Sequence, residues 1–266
     1  MAIKTTRAKA KKKSSSSGEV VKKTNPTAKQ FIEKLNTFRS AEELKKYHRY
    51  FRFDEKSKTG DAFIGVRMGT VFELAKEFIS MEPSEIEKLL ESRIHEVRAG
   101  GCSIMGKQYK APRTTETRKK ELYDLYLKRH DRINDWDLVD LAAYKVVGGY
   151  LFEFEKPREI LYELAHSSNL WERRTSIVST LHFIMKKETE DCFRIAEILS
   201  KEKEDLVNKA VGWALREAGK VDRKRLLQFL DQHASVMPRV TLRYSIERLE
   251  EKLRKHYLSL KKTNHN

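Results

Sequence analysis

The sequence predicts an all-α protein, a curved solenoid of antiparallel helix pairs with a basic, disordered tail at its N-terminus. Two observations support this fold class. From Gln30 onward, apolar residues recur at spacings of three and four, and few stretches show the alternation that marks β-strands. Four helical segments also recur at a nearly constant interval, which is typical of repeat proteins.

The repeat becomes visible when the segments that start at His95, Trp136, Trp171 and Leu206 are aligned with one another. Their starts differ by 41, 35 and 35 residues. Each segment begins a long predicted helix and follows a shorter one, and helix pairs of this kind stack into a HEAT-like superhelix. The second helices of such pairs line a concave surface, so we expect functional residues near the first turns of the long helices.

Proline marks the start of several predicted helices, since the missing amide donor costs nothing there; Pro83, Pro157 and Pro238 occupy such positions. We expect flexible connections at 54–61 and 101–114. The predicted helices are 28–38, 41–52, 69–79, 84–98, 115–130, 136–147, 157–166, 170–186, 190–200, 204–219, 223–233 and 239–257.

Residues 1–27 are rich in Lys, Ser and Thr and contain few apolar side chains. This composition predicts a disordered basic tail, followed by one helical-repeat domain over 28–260. The tail is either a phosphate-binding arm that raises affinity for nucleic acid without reading sequence, or a solvated extension with no role of its own.

The net charge of +16, from 55 basic and 39 acidic residues, indicates a polyanionic partner. Nucleic acid fits better than a membrane surface, because no basic amphipathic helix carries an aromatic face. No apolar stretch predicts a membrane span or a secretory signal, so we expect a cytoplasmic protein, nucleoid-associated if bacterial. Cys102 and Cys192 lack the spacing of a zinc site or disulfide framework and are expected to be buried thiols.

Trp136 and Asp140 are four residues apart on one predicted helix and therefore share a face. This pairing suits a site that holds a carboxylate beside an indole. The alternative is that the indole belongs to the core and that the acid is a surface or salt-bridged residue. Arg173 and Arg174, in the next repeat, point about 100° apart, so one of them can face the groove and bind phosphate.

Lys209, Trp213 and Arg216 form a stripe on the following long helix. Gly212, beside the tryptophan, costs about 1 kcal/mol against alanine in a helix. It indicates close approach to that backbone, either by a ligand or by a packed helix.

Two tryptophans, one carboxylate and basic side chains from successive repeats fit one substrate class. Purines alkylated at N3 or N7 are cationic, so an indole face attracts them. Hydrolysis passes through an oxocarbenium-like sugar, which a fixed carboxylate can stabilise while it orients water. One acid suffices, because the departing base leaves neutral. An open groove offers no obvious pocket for a flipped base, so we expect specificity to come from the lability of the cationic nucleotide and from backbone contacts.

The ordered motifs resemble the DNA alkylation repair (AlkD-like) family of HEAT-like repeat DNA glycosylases, over residues 30–258. The motifs that carry the resemblance are Trp136–Asp140, Trp171–Arg174, Lys209–Glu217, Phe63–Val66 and His95–Arg98.

The resemblance implies a monofunctional glycosylase of base excision repair that removes N3- and N7-alkylated purines from double-stranded DNA without a metal or organic cofactor. It implies that Asp140 is the catalytic carboxylate, that Trp136 and Trp213 are aromatic walls, and that Arg174 contacts the DNA backbone. Tyr47 matches an early aromatic residue near the lesion.

Arg173, Lys209 and Arg216 are further expected contacts to the DNA backbone, and we expect a monomer. Two other readings stay open: a noncatalytic HEAT-like module that binds DNA structures, and a protein-binding scaffold. The scaffold leaves the net charge of +16 unexplained.

Overall fold

The computed structural model describes residues 25–47 and 61–260. Throughout these two ranges the chain forms α-helices, and the β-type pairing described there is an isolated bridge between Ala62 and Ile94. The helices are α1 Ala28–Asn36, α2 Ala41–Tyr47, α3 Met68–Glu77, α4 Pro83–Leu90, α5 His95–Lys110, α6 Glu116–Lys128, α7 Trp136–Glu153, α8 Glu159–Ala165, α9 Leu170–Met185, α10 Glu190–Ile198, α11 Asp205–Val221, α12 Arg223–His233, α13 Arg239–Ser245 and α14 Glu251–Ser259.

The helices pack in two rows, which confirms the predicted α-solenoid. The long-helix row consists of α5, α7, α9 and α11, each packed against the next, with α3 and α13 extending it at the two ends. The short-helix row consists of α4, α6, α8, α10 and α12, and each of these packs against a neighbouring long helix. The apolar core is continuous between the two rows.

The long helices begin at His95, Trp136, Leu170 and Asp205, within one residue of the starts that the repeat predicts. Polar side chains fix two of these starts. The carboxylate of Asp135 accepts the N–H of Trp136, and the side chain of Asn169 accepts that of Trp171. The regular spacing of the segments is therefore a spacing of helix starts.

Two predictions around α5 are wrong. The helix expected over 84–98 is two helices, α4 and α5, and the expected connection over 101–114 is largely the second half of α5. Glycines in α5 allow close packing, because added β-carbons would overlap the ring of Phe31 at Gly100 and press on Leu89 at Gly101.

At the C-terminal end, the helix expected over 239–257 is wrong in the same way, since α13 and α14 replace it. The helix expected over 41–52 is present as α2, and its residues 48–52 lie outside the described residues. Residues 1–24 of the predicted tail and most of the predicted connection at 54–61 also lie outside them.

Cys102 and Cys192 are both buried and unbonded to each other, which confirms the expectation of structural thiols. Burial raises the pKa of both thiols, to about 12 for Cys192. Across the described ranges, no helix combines the length and the apolar composition needed to cross a bilayer.

Glycines let neighbouring members of the row approach closely. A β-carbon at Gly148 of α7 would overlap the carbonyl oxygen of Ser179 on α9. At Gly212 of α11 it would meet the carbonyl oxygen of Thr241 on α13, at 2.7 Å. The close approach that Gly212 indicated is therefore made by a packed helix.

We expect Gly148→Ala to destabilise the protein by about 1–3 kcal/mol, because the added methyl group forces α7 and α9 apart. Urea denaturation followed by circular dichroism measures the change. Gly69→Ala in the first turn of α3 is the matched control, since nothing lies within 4 Å of its new β-carbon. Equal stability of the two variants would contradict the packing argument.

Candidate functional site

Trp136 and Asp140, at the start of α7, line a cavity of about 570 Å³. We call it the Asp140 cavity. Tyr47 of α2 and Phe72 of α3 form part of the opposite wall. The cavity is lined by Glu43, Lys46, Tyr47, Arg67, Met68, Phe72, Trp136, Asp137, Asp140 and Leu141.

This cavity overturns the expectation that the long helices present an open groove without a pocket. That expectation considered only the stripe formed by the long helices. In the folded chain, side chains of α2 and α3 line the same cavity as the first turns of α7, in front of Asp140.

Arg174 of α9 holds the carboxylate of Asp140. Its Nη2 atom lies 2.9 Å from Oδ1 and 2.8 Å from Oδ2, and its Nε lies 3.1 Å from Oδ1. Nη1 donates to the backbone carbonyl of Leu206, at the start of α11. The guanidinium therefore links three long helices and fixes the direction in which the carboxylate points.

The two side chains of this ion pair differ in their access to solvent. The side chain of Arg174 is 5% exposed, whereas that of Asp140 is 23% exposed and reaches the cavity. Oδ2 accepts one hydrogen bond from Arg174, so it keeps a lone pair for water or a ligand.

Burial raises the pKa of Asp140 above its ordinary value of 3.8, and the charge of Arg174 and its hydrogen bonds limit that rise. The acid is therefore a carboxylate partly withdrawn from water, with a fixed cation behind it.

Tyr47 is held in the wall by its own hydroxyl, which donates to the carbonyl of Val66. Burial raises its pKa, so the phenol stays protonated and acts as a donor. Its ring centroid lies 5.5 Å from that of Phe63, which stacks on His95 at 4.8 Å.

The Phe63–Val66 segment is fixed by the buried carboxylate of Glu96, at the start of α5. Glu96 accepts the backbone N–H groups of Ile64 at 3.0 Å, Gly65 at 2.8 Å and Val66 at 3.3 Å. Gly65 has a positive φ of 74°, a conformation that favours glycine. These bonds tie the wall that carries Tyr47 to the long-helix row.

Asp137 lies on the floor of the cavity and contacts His95 of α5, with Nε2 and Oδ2 2.8 Å apart. Together with Asp135 these residues could offer three metal ligands, whose atoms lie within 4.8 Å of one another. In this structure His95 and Asp137 bond to each other.

The expected backbone contacts on α9 and α11 are engaged in ion pairs within the protein. Arg173 Nε lies 2.5 Å from Glu202, and Lys209 Nζ lies 2.7 Å from Asp205. Arg216 pairs with Glu217 and Glu247. Trp213 is half-buried, packs against the core and does not line the Asp140 cavity.

Sequence reasoning missed the wall formed by Met68 and Phe72, and the charged rim of Glu43, Lys46 and Arg67. The apolar spacing in α3 matches that of an ordinary core helix. The rim was missed because its charges come from separate segments, and Arg67 pairs with Glu43 at 2.7 Å.

Fold and site together define a class: a helical-repeat protein with a carboxylate, fixed by an arginine, facing an aromatic cavity. The family model described as "DNA alkylation repair enzyme" matches residues 31–249. The chain belongs to the DNA alkylation repair enzyme family, which confirms the resemblance seen in the sequence.

A solved structure shares this fold, titled "Predicted DNA alkylation repair enzyme from Enterococcus faecalis". The TM-score is 0.62 at 17% sequence identity, with 80% of this chain and 97% of that chain covered. No curated protein matches the chain.

We expect the pKa of His95 to lie above 6.5. Burial lowers it, but the charges of Asp137 and Asp135 and the hydrogen bond to Asp137 outweigh that effect. In Asp137→Asn the main opposing charge is gone, so the pKa of His95 should fall below that of the wild type. An NMR titration of the His95 ring protons measures both values, and equal values would contradict the pairing.

Proposed function

We propose that the protein is a monofunctional DNA glycosylase that hydrolyses the N-glycosidic bond of N3- and N7-alkylated purines in double-stranded DNA. One observation carries the proposal: the carboxylate of Asp140 is fixed by Arg174 and faces a cavity walled by Trp136 and Tyr47. Membership of the DNA alkylation repair enzyme family supports the choice of DNA as the polymer.

The aromatic wall suits a cationic base. An indole or phenol ring attracts a positive charge over its face, by about 0.5–2 kcal/mol depending on desolvation. Asp137 and Asp140 add negative charge to the same cavity. An alkylpurine with its ring cation is therefore favoured there over the neutral base.

Asp140 acts on the sugar. As the C1′–N bond breaks, its electron pair passes to the purine, which leaves neutral and needs no protonation. Positive charge develops on C1′ and the ring oxygen, where a carboxylate stabilises it. A water that donates a hydrogen bond to Oδ2 adds to C1′, and its proton passes through the carboxylate to solvent.

Arg174, which the resemblance implies as a contact to the DNA backbone, is instead a positioning residue in this mechanism. Its bidentate contact keeps Asp140 ionised despite burial and directs the free lone pair of Oδ2 toward the cavity. The same contact favours the second candidate, a noncatalytic DNA-binding module, because the acid already has a partner in the protein.

We expect Asp140→Asn to reduce base release by about 100-fold or more, the usual loss when a preorganised electrostatic group is removed. The assay measures 7-methylguanine freed from methylated duplex DNA by chromatography, alongside binding to undamaged duplex. Asp124→Asn, an exposed acid on α6, is the matched control. A wild type that binds DNA but releases no base would establish the noncatalytic module instead.

The rate of base release should fall with decreasing pH as Asp140 becomes protonated. Its folded-state pKa is raised, so the loss should begin above the ordinary aspartate value of 3.8. Arg174→Gln removes the charge that opposes burial and should shift the midpoint to higher pH. Single-turnover rates, corrected for spontaneous depurination, give both profiles, and an unchanged midpoint in the variant would argue against Asp140 as the titrating group.

A further inference from the structure

Three lysines meet beside the Asp140 cavity on the long-helix row. Lys107 and Lys110 come from the last turns of α5, and Lys145 comes from the middle of α7. The ammonium groups of Lys110 and Lys145 lie 5.1 Å and 5.0 Å from the centroid of the Tyr144 ring. We call Lys107, Lys110 and Lys145 the lysine cluster.

The cluster borders the cavity directly. Lys107 Nζ lies 5.4 Å from the centroid of the Phe72 ring, which forms part of the cavity wall. Lys145 Nζ donates at 2.9 Å to the carbonyl of Leu141, another lining residue. Lys145 also follows Asp140 by five residues, a rise of about 7.5 Å along α7.

These lysines differ from the cations expected to bind DNA. Arg173, Lys209 and Arg216 each have a carboxylate partner. Among the ion pairs of the described residues, none includes a member of the lysine cluster. The other titratable groups near the cluster are Glu73 and Lys76 on α3, Glu153 on α7, and His182 and Lys186 on α9.

The nearby acids do not neutralise the cluster. Glu73 pairs with Lys76 at 2.7 Å, and Glu153 pairs with Lys119 at 2.5 Å. Burial, then the charges of Lys107 and Lys110, lowers the pKa of Lys145 to about 8. Like charges held together without a counter-charge are unfavourable, and an anion placed between them relieves the repulsion.

We propose that Lys107, Lys110 and Lys145 form a binding site for a backbone phosphate of the DNA, next to the nucleotide held at Asp140. This inference rests on the proposed function, since it assigns the polymer's phosphate to a place in the same groove. Lysine binds phosphate as a point charge, without the planar geometry that arginine requires. Three lysines on two helices thus fix the position of the strand along the row without reading its sequence.

The first test compares a triple variant, Lys107→Gln with Lys110→Gln and Lys145→Gln, with a control of equal net charge. The control carries Lys88→Gln, Lys120→Gln and Lys224→Gln, at exposed positions of the short-helix row. Fluorescence anisotropy with an undamaged duplex gives Kd between 50 and 200 mM NaCl.

The cluster variant should bind roughly tenfold more weakly, the loss of about one charge-assisted hydrogen bond. Its slope of log Kd against log salt should fall by about one, the value for one phosphate. The control should stay close to the wild type in both. If cluster and control variants behave alike, the phosphate site is wrong.

The second test uses pH. Phosphate binding favours the protonated amine, so DNA affinity of the wild type should weaken between pH 7 and pH 9, as Lys145 loses its proton. Lys145→Gln should bind more weakly at pH 7 and lose most of this dependence. The same pH dependence in both proteins would overturn the role of Lys145.

The outcomes separate this proposal from the glycosylase. Binding is measured on undamaged DNA and base release on methylated DNA, so the two readouts are independent. If the wild type binds through the cluster but releases no base from methylated DNA, the phosphate site is supported and the glycosylase proposal is contradicted. If the wild type releases base and the cluster variant keeps full DNA affinity, the glycosylase proposal is supported and the phosphate site is contradicted. A wild type that binds no DNA overturns both.

Discussion

The ion pair between Asp140 and Arg174 is the interaction on which the site depends. It joins α7 to α9, and through the carbonyl of Leu206 it also reaches α11. Loss of one partner of a buried pair costs about 3–5 kcal/mol, because the other charge stays in the interior without compensation. The pair therefore links three repeats and fixes the direction of the Asp140 carboxylate, which lines the cavity.

Helix packing makes this pair possible. Gly148 brings α7 close to α9, which carries Arg174, and Gly212 brings α11 close to α13 in the same way. On the opposite wall, the carboxylate of Glu96 accepts hydrogen bonds from the backbone N–H groups of the Phe63–Val66 segment and so fixes that segment to α5. Buried charges on the long helices thus position both sides of the Asp140 cavity.

The basic residues behind the net charge of +16 do not all have the same role. Many of its cations, Arg173 and Arg216 among them, are paired with carboxylates and hold the repeats together. The lysine cluster takes part in none of the ion pairs of the described residues, so its positive charge is available to an anionic ligand. Net charge thus indicates a polyanionic partner, whereas the ion pairs of the folded chain indicate which cations are free to meet it.

The sequence by itself determined the all-α class, the four repeat starts and the shared face of Trp136 and Asp140, because these follow from periodicity along a single helix. It also carried the motifs of the family. Only the tertiary structure showed that Arg174 hydrogen-bonds to Asp140 and that Tyr47 and Phe72 line a cavity in front of it. It also showed that Trp213 does not line this cavity. The boundaries of α4 and α5 were predicted wrongly for the same reason: contacts between segments far apart in the chain depend on how helices pack, and local spacing does not encode that packing.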